Sequence, residues 1–319
     1  MKIIGNLLRK IGLGAVVVVL ATFFLSWLMR QVPGSVVDLI APFASEQQRE
    51  EINTALGLDK SLLSAYWDWL SGFARGDFGD FIVSSGSVGS RLAEVIPVSL
   101  LLMLYVQVFA LGIGVPLGLY TAYRANTRVD SYTRATLFSL SSIPNFGTAI
   151  ILAIVVGVQL NLVPPAGYVH LTENIGGHFK SMLLPVLALA IAPLTSYTNL
   201  MRSEVLATLR EDYITLAASK GLKPRRILFR HVIRPSITPI MTSAALSMSA
   251  LIGGALVIEI IFVIPGLGTL LQRCIFTKEY GALQTVVAVI AVFYVVFNTI
   301  VDALINVVDP RTRGTRAAR

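Results

Sequence analysis

The chain has 319 residues, of which 55% are hydrophobic and 14% charged, with a formal net charge of +8. Soluble domains carry about a quarter charged residues, so this composition excludes a water-facing surface of ordinary make-up. A single cysteine, Cys274, excludes an intrachain disulfide, and His170, His178 and His231 lie too far apart for metal-ligand spacing.

Read from the N-terminus, continuously apolar runs of about 20 residues recur, the length that crosses a ~30 Å hydrocarbon core. They predict six spans, at 9–30, 97–122, 135–160, 182–202, 236–263 and 283–307. The runs do not alternate, which excludes a membrane barrel and leaves an all-α polytopic fold. The first span has a basic start but ends "SWLMRQVPG", with no small-x-small cleavage signal, and reads as an uncleaved anchor.

Segment 31–96 is a long loop outside the membrane. Ser45 and Gln48 have capping-box spacing. Leu62, Leu63, Tyr66 and Leu70 form an amphipathic stripe whose aromatics suit either the membrane interface or a docking surface for an extracytoplasmic partner. "ARGDFGD" reads as a tight turn. In the third span, Ser139, Ser141, Ser142, Pro144 and Asn145 predict a kink. Thr195, Ser196, Thr198 and Asn199 follow in the fourth span, and Ser243, Ser247 and Ser249 precede a glycine pair in the fifth. Such residues serve close helix packing or line a polar passage, and one helix can do both.

Glu259 and Asp302 fall inside spans, where a central charge costs about 2.5–3.5 kcal/mol on an insertion scale. Each stands within about two turns of a span end, from which it can reach headgroups or water. Asn298 and Asp302 are four apart and can share one polar contact. No buried relay accompanies them, which argues against a proton-driven carrier.

Eighteen of the 26 Lys and Arg residues fall on one side: Lys2, Arg9 and Lys10, then Arg124, Arg128 and Arg134, eight from Arg202 to Arg234, and Arg311, Arg313, Arg316 and Arg319. The other side holds Asp38, Glu46, Glu50, Glu51, Asp59, Asp68, Asp77 and Asp80. By the positive-inside rule both termini are cytoplasmic. The basic excess is thus topological, the last arginines suit anionic lipid, and no nucleic-acid partner is expected. The sequence has neither a phosphate-binding "GxxxxGK[ST]" loop nor a Ser-His-Asp pattern.

Against this apolar background stands "TLREDYITLAASKGLKPRRILFRHVIRP", Thr208 to Pro235. Thr208 and Glu211 have capping-box spacing, Glu211 and Asp212 suit a first turn, and Gly221 suits a left-handed stop. A helix over 209–220 is expected, too short to be stable alone. Tyr213, Leu216, Ala217 and Lys220 share one side, and Ala218 and Gly221 admit close approach. Pro224 to Arg234 predicts a second, basic helix suited to anionic lipid. A helix led by two acids suits a cytoplasmic protein partner better.

"DYITLAASKGL" resembles the coupling loop of permease subunits in ATP-binding-cassette importers, in the peptide branch. "LGLDKSLLSAYWDWLSGFARGDFGD", "IPNFGTAIILAIVVGVQLNLVPPAGY", "GGALVIEIIFVIPGLGTLLQRCIFTKEYGALQ" and "NTIVDALINVVDPRTR" extend the resemblance over nearly the whole chain. It is to the first, B-type permease of such a pair, and implies a type I importer permease fold. The implied organisation is 1–30 as N-terminus and first span, 31–96 as extracytoplasmic region, 97–307 as permease core with coupling loop 203–235, and 308–319 as basic tail.

The resemblance further implies that Asp212, Tyr213, Ala217, Lys220 and Gly221, with Glu211, Thr215 and Ala218 beside them, meet the ATPase. Where the broader importer motif has a glutamate, this chain has Thr215, so an ion pair there would fall to Glu211 or Asp212. Ser35 stands where family members often carry an acid, so the resemblance does not carry over an ion pair to the receptor at that point. Asn145 and Ser247 are pore candidates, and Glu259, Phe262, Pro265, Gly266 and Gly268 shape an outer gate. The implied partners are a second homologous permease, two ATPase subunits or domains and an extracytoplasmic peptide receptor, in the cytoplasmic membrane of a prokaryote. ATP and magnesium sit on the partner subunits, and this chain holds no cofactor and is no enzyme. The alternatives are a non-peptide cargo (a nickel chelate, glutathione or a sugar), an ion-coupled carrier, or a membrane anchor for a cytoplasmic complex.

Overall fold

The computed structural model describes residues 2–32, 36–55, 57, 59–83 and 86–308. Ser35 and the basic tail from 309 onward lie outside them, as do the side chain of Asp302 and its expected contact with Asn298. The described residues are helical apart from connecting turns and one isolated bridge between Asp80 and Ser87. Among the described residues, five helices are long and apolar enough to cross a membrane, and a pair bent by 96° makes six if it is counted as one broken span rather than a re-entrant loop. The predicted kink is therefore a break. α6 (Arg128–Ser141) ends, Ser142, Ile143 and Pro144 turn the chain, and α7 (Asn145–Leu152) starts afresh and runs on as a π-helical segment over Ala153–Gln159. Pro144 carries no N–H to continue the ladder, and at the end of α6 the Ser141 and Ser142 hydroxyls both donate to the Phe138 carbonyl (3.0 and 2.8 Å), which also accepts the Ser142 backbone N–H.

The chain divides into two compact units. The first comprises Met1–Ser99 and Pro265–Val296. It contains α1 (Lys2–Met29), the short helices α2 (Val37–Ile40), α3 (Glu46–Ala55) and α4 (Leu62–Ala74), and the start of α5 (Val88–Tyr123). After the chain returns at Pro265, α12 (Leu267–Phe276) and most of α13 (Tyr280–Val308) complete it. The Ser45–Gln48 capping box forms in both directions, at 3.0 and 3.4 Å. The predicted turn is present too: Gly76 and Gly79 take φ of +85° and +75°, and the Asp77 carboxylate accepts the Gly79 N–H.

An aromatic ladder holds α4. Tyr66 meets Phe23 of α1 edge-on, and Trp69, Phe73 and Phe78 follow at centroid spacings of 5.3–5.7 Å. The Tyr66 hydroxyl donates to the Val19 carbonyl, and the Trp69 indole N–H donates to Thr285 of α13. On the stripe read from spacing, Tyr66 is buried and Leu63 exposed, and the half-buried Trp69 packs beside Tyr66. Gly14 admits α13 beside α1, since a Cβ there would stand 2.2 Å from the Val295 side chain.

The second unit comprises Leu100–Ile264 and Phe297–Arg319. Its axis is α8 (Ile175–Thr208), which packs on α6, α7 and α11 (Ile233–Phe262). Gly114 and Gly118, a small-x3-small pair on α5, let that backbone lie directly on α8. A Cβ at Gly118 would come within 2.5 Å of the Thr198 carbonyl. Where Pro193 interrupts the α8 ladder, Thr195 donates to the Ile191 and Leu137 carbonyls, the latter on α6. The basic segment is not a separate helix. α10 (Pro224–Ile227) passes through a π-helical turn at Leu228–Val232 directly into α11, because the segment's apolar side, Ile227 and Val232, is buried in the chain itself.

Candidate functional site

α8 ends at Thr208, the residue from which the Thr208–Glu211 spacing started a new helix, but Thr208 does not act as that helix's cap. It is buried, and pairs its hydroxyl with Ser236 of α11 at 3.2 Å. With that oxygen engaged across the unit, no capping box forms. Glu211 becomes the N-cap through its extended backbone (φ −70°, ψ 140°) without a side-chain bond. The following helix, α9, is Asp212–Ser219, eight residues where twelve were expected. Its other end is as anticipated. Gly221 has φ +76°, its N–H meets the Ala218 carbonyl at 2.9 Å, and the Leu222 N–H meets the Ala217 carbonyl at 3.3 Å, the two bonds of a Schellman stop.

One side of α9 seats it on its own chain. Ile214 and Ala217 are buried, and the Tyr213 hydroxyl donates to the His231 carbonyl. Ala217 therefore faces inward, one correction to the surface expected from sequence. Glu211, Asp212, Tyr213, Thr215, Ala218, Lys220 and Gly221 are all exposed. Asp212, Thr215, Leu216 and Ser219 form the ridge opposite Ile214, with Leu216 55% exposed. Nothing lies within 4 Å of where a Gly221 side chain would start. An eight-residue helix is thus seated on one side by Ile214 and Ala217 and leaves an apolar-and-acidic ridge exposed on the other.

The span residues singled out by sequence do not form one cluster. Asn145 opens α7, and its amide stands beside Gly254 of α11. Ser247 sits in a buried polar network that ties α5, α8 and α11. The Tyr197 hydroxyl donates to Gln107 Oε1 at 2.8 Å and pairs with the Ser247 hydroxyl, while Gln107 Nε2 donates to Ser247 and to the Ala244 carbonyl. Sequence reasoning missed Gln107 and Tyr197. The available signal was a lone glutamine in "LLMLYVQVFALG", which in lipid must find partners within the protein.

Glu259 was expected to reach headgroups or water, but it is fully buried, because the end of α11 is packed tightly up to Phe262 and Ile264. The left-handed residue there is Val263 (φ +54°), again in a Schellman stop, while the Phe262 carbonyl accepts the Gly167 N–H at 2.8 Å. Gly266, with φ −112° and ψ −169°, is extended and needs no glycine for its backbone; it precedes α12, in which Gly268 is buried, and Pro265 opens this stretch.

In the region 31–96, Arg49 grips a loop. It donates to the Pro42 and Ala44 carbonyls and pairs with Asp38, which leaves Phe43 between them 99% exposed. Nearby, a hydrogen bond from Lys60 to Asp68 raises the lysine's pKa above its usual value. Among the described residues, no group of three or more His, Cys, Asp or Glu side chains could hold a metal ion.

Residues 114–314 match the family model described as "Binding-protein-dependent transport system inner membrane component". The oligopeptide transport system permease protein AppB of Bacillus subtilis (strain 168) is 36% identical over 288 residues, 89% of this chain and 91% of that protein. The dipeptide transport system permease protein DppB of Lactococcus lactis subsp. cremoris is 30% identical over 96% of this chain and 98% of its own length. OppB of Haemophilus influenzae, an oligopeptide transport system permease protein, is 31% identical over 91% and 93%. Among solved structures, an inward-facing form of the MetNI methionine ABC transporter superposes with a TM-score of 0.56 at 14% identity, over 69% of this chain and 96% of that one. The shared fold is that of a type I importer permease.

Proposed function

The chain belongs to the family of binding-protein-dependent transport system inner membrane components, and we propose that it is one permease of a heterodimeric importer moving di- or oligopeptides. The observation that carries this is α9, a short helix anchored below by Ile214 and Ala217 and bare above at Asp212, Thr215 and Leu216. The named roles of AppB, DppB and OppB support peptides as cargo over a nickel chelate, glutathione or a sugar. In this reading both termini are cytoplasmic, the membrane is a prokaryotic cytoplasmic membrane, and α9 docks on an ATPase subunit that carries ATP and magnesium. A second permease and an extracytoplasmic receptor complete the assembly.

Mechanically, closure of the ATPase pair displaces α9, and α8 and α11 follow because α9 is bonded to both through its own loop. The passage then alternates between inward-open and outward-open states. ATP drives this only as far as it favours one state by differential contacts at α9. The test is gentle detergent extraction with mass spectrometry of what co-purifies, followed by reconstitution with labelled di- and oligopeptides. Recovery of an ATPase with a phosphate-binding loop and a second six-span permease, with ATP-driven peptide uptake, is the expected result. Repeated recovery of the chain alone, with uptake following an ion gradient, overturns it.

A further inference from the structure

In the second unit, an ion pair joins elements far apart in sequence. Asp130, in the first turn of α6, accepts from Arg202 of α8 through two near-parallel bonds, Nε to Oδ1 at 2.7 Å and Nη2 to Oδ2 at 2.6 Å. The side chains are only 3% and 15% exposed. Asp130 Oδ2 also accepts the backbone N–H of Asn126 at 3.0 Å, and Asn126 holds a left-handed φ of +64° in the link between α5 and α6. By contrast, the ion pairs Arg49–Asp38, Lys60–Asp68 and Arg91–Glu94 are at least a third exposed on both partners.

A buried ion pair is weak evidence of stabilisation, since apolar residues of similar volume often hold a core as well. What apolar packing does not supply is direction. A guanidinium bound edge-on by both carboxylate oxygens fixes rotation and sliding of one helix against another. Arg202 lies less than two turns from the end of α8, and four residues beyond Thr208 the chain enters α9. Thr208 is itself tied to Ser236, so the end of α8 cannot shift without carrying α11. On the other side, α6 leads through the 96° break into α7, which packs on both α8 and α11.

We propose that the Asp130–Arg202 fork is the joint through which displacement of α9 reaches the broken α6–α7 span. Arg202 and Asp130 are positioning residues. They keep α6, and the α5–α6 link that Asn126 closes, moving as one body with α8 when α9 is pulled. This inference rests on the reading of α9 as the ATPase-coupling helix. Its consequence is a separation of two rates. With the joint cut, the ATPase still grips α9 and turns over, but the motion no longer reaches α7 intact, and less solute moves for each ATP consumed.

The experiment uses the assembled importer, with its partner subunits and receptor, in proteoliposomes, and measures peptide uptake and ATP hydrolysis together. Wild-type protein lacking ATP-driven uptake overturns both this inference and the reading beneath it. Given a working wild type, Asp130→Asn keeps an acceptor for Asn126 and removes the charge; uptake per ATP is expected to fall about fivefold or more, within the range of ordinary coupling energies. Arg202→Lys keeps the charge without the planar fork and should fall between the two. Either variant assembling normally with the wild-type ratio of uptake to ATP overturns the joint.

A second measurement covers variants that assemble poorly. Asp130→Cys with Arg202→Cys, bridged by a short bis-maleimide, replaces the fork with a covalent link. The background carries Cys274→Ala and cysteine-free partner subunits, so that the bridge forms only between the two introduced thiols. Recovery of uptake per ATP on bridging is the expected outcome, while bridging that abolishes uptake in intact complexes shows that the pair must open during the cycle and overturns a joint that stays closed.

Discussion

The ends of α9 and α11 carry the same hydrogen bonds and opposite chemistry. After α9 the turning residue is Gly221, at φ +76° in open space. After α11 it is Val263, at φ +54° with a β-branched side chain 64% exposed, while Ile264 behind it and Phe262 before it are buried. A left-handed conformation costs a non-glycine residue about 1–2 kcal/mol, and a β-branched one is a genuine outlier. At α9 the sequence relieves that cost locally. At α11 the backbone is strained, and surrounding contacts hold it there: Ile264 N–H on the Glu259 carbonyl at 2.8 Å, and Gly167 N–H on the Phe262 carbonyl. One end is a relaxed stop beside an exposed helix face. The other is a strained stop sustained by packing, which is where a conformational change finds stored energy.

Three substitutions test this difference. The largest effect is expected from Phe262→Ala, which empties a fully buried site and should cost about 3–5 kcal/mol. It removes the packing that imposes the strain, so thermal unfolding in detergent should show a clearly lowered Tm; an unchanged Tm would mean that packing does not hold this end. Next comes Gly221→Val, which transfers to α9 the chemistry α11 already has. With no neighbour within 4 Å, its only penalty is the conformational one, about 1–2 kcal/mol. Uptake should fall relative to ATP hydrolysis, and Gly221→Asn, which tolerates the left-handed region, should retain most of it. Equal uptake in the valine variant would show that the stop does not orient α9. The smallest effect belongs to Val263→Gly. Relief of strain is offset by the flexibility of glycine in the unfolded chain, leaving a net gain of roughly 0.5–1 kcal/mol and a slightly raised Tm. A lowered Tm would place the valine side chain, not its backbone, at the centre of that end's stability.

The same contrast explains what was legible along the chain. Gly221, the Ser45–Gln48 box and the Gly76 and Gly79 turn were readable because each depends on a backbone preference satisfied within a few residues. The Thr208 box was not. Its spacing was correct, but Ser236, 28 residues away, takes the hydroxyl first. Ala217 followed the pattern of an exposed helix face, yet the chain folds beneath it and buries it.

By itself the sequence determined a membrane protein of six apolar spans, since hydrocarbon thickness fixes the length of each run and no soluble fold tolerates so little charge. It also determined a punctuated helix in the loop after the fourth span, because a left-handed stop is written in one glycine. Only the tertiary structure decided that the third span breaks by 96°, that Gln107, Tyr197 and Ser247 satisfy one another across three helices, and that Asp130 and Arg202 join α6 to α8. The polar network and the ion pair each depend on a partner tens of residues away, and in a low-dielectric interior a polar group binds whichever partner packing brings within about 3 Å.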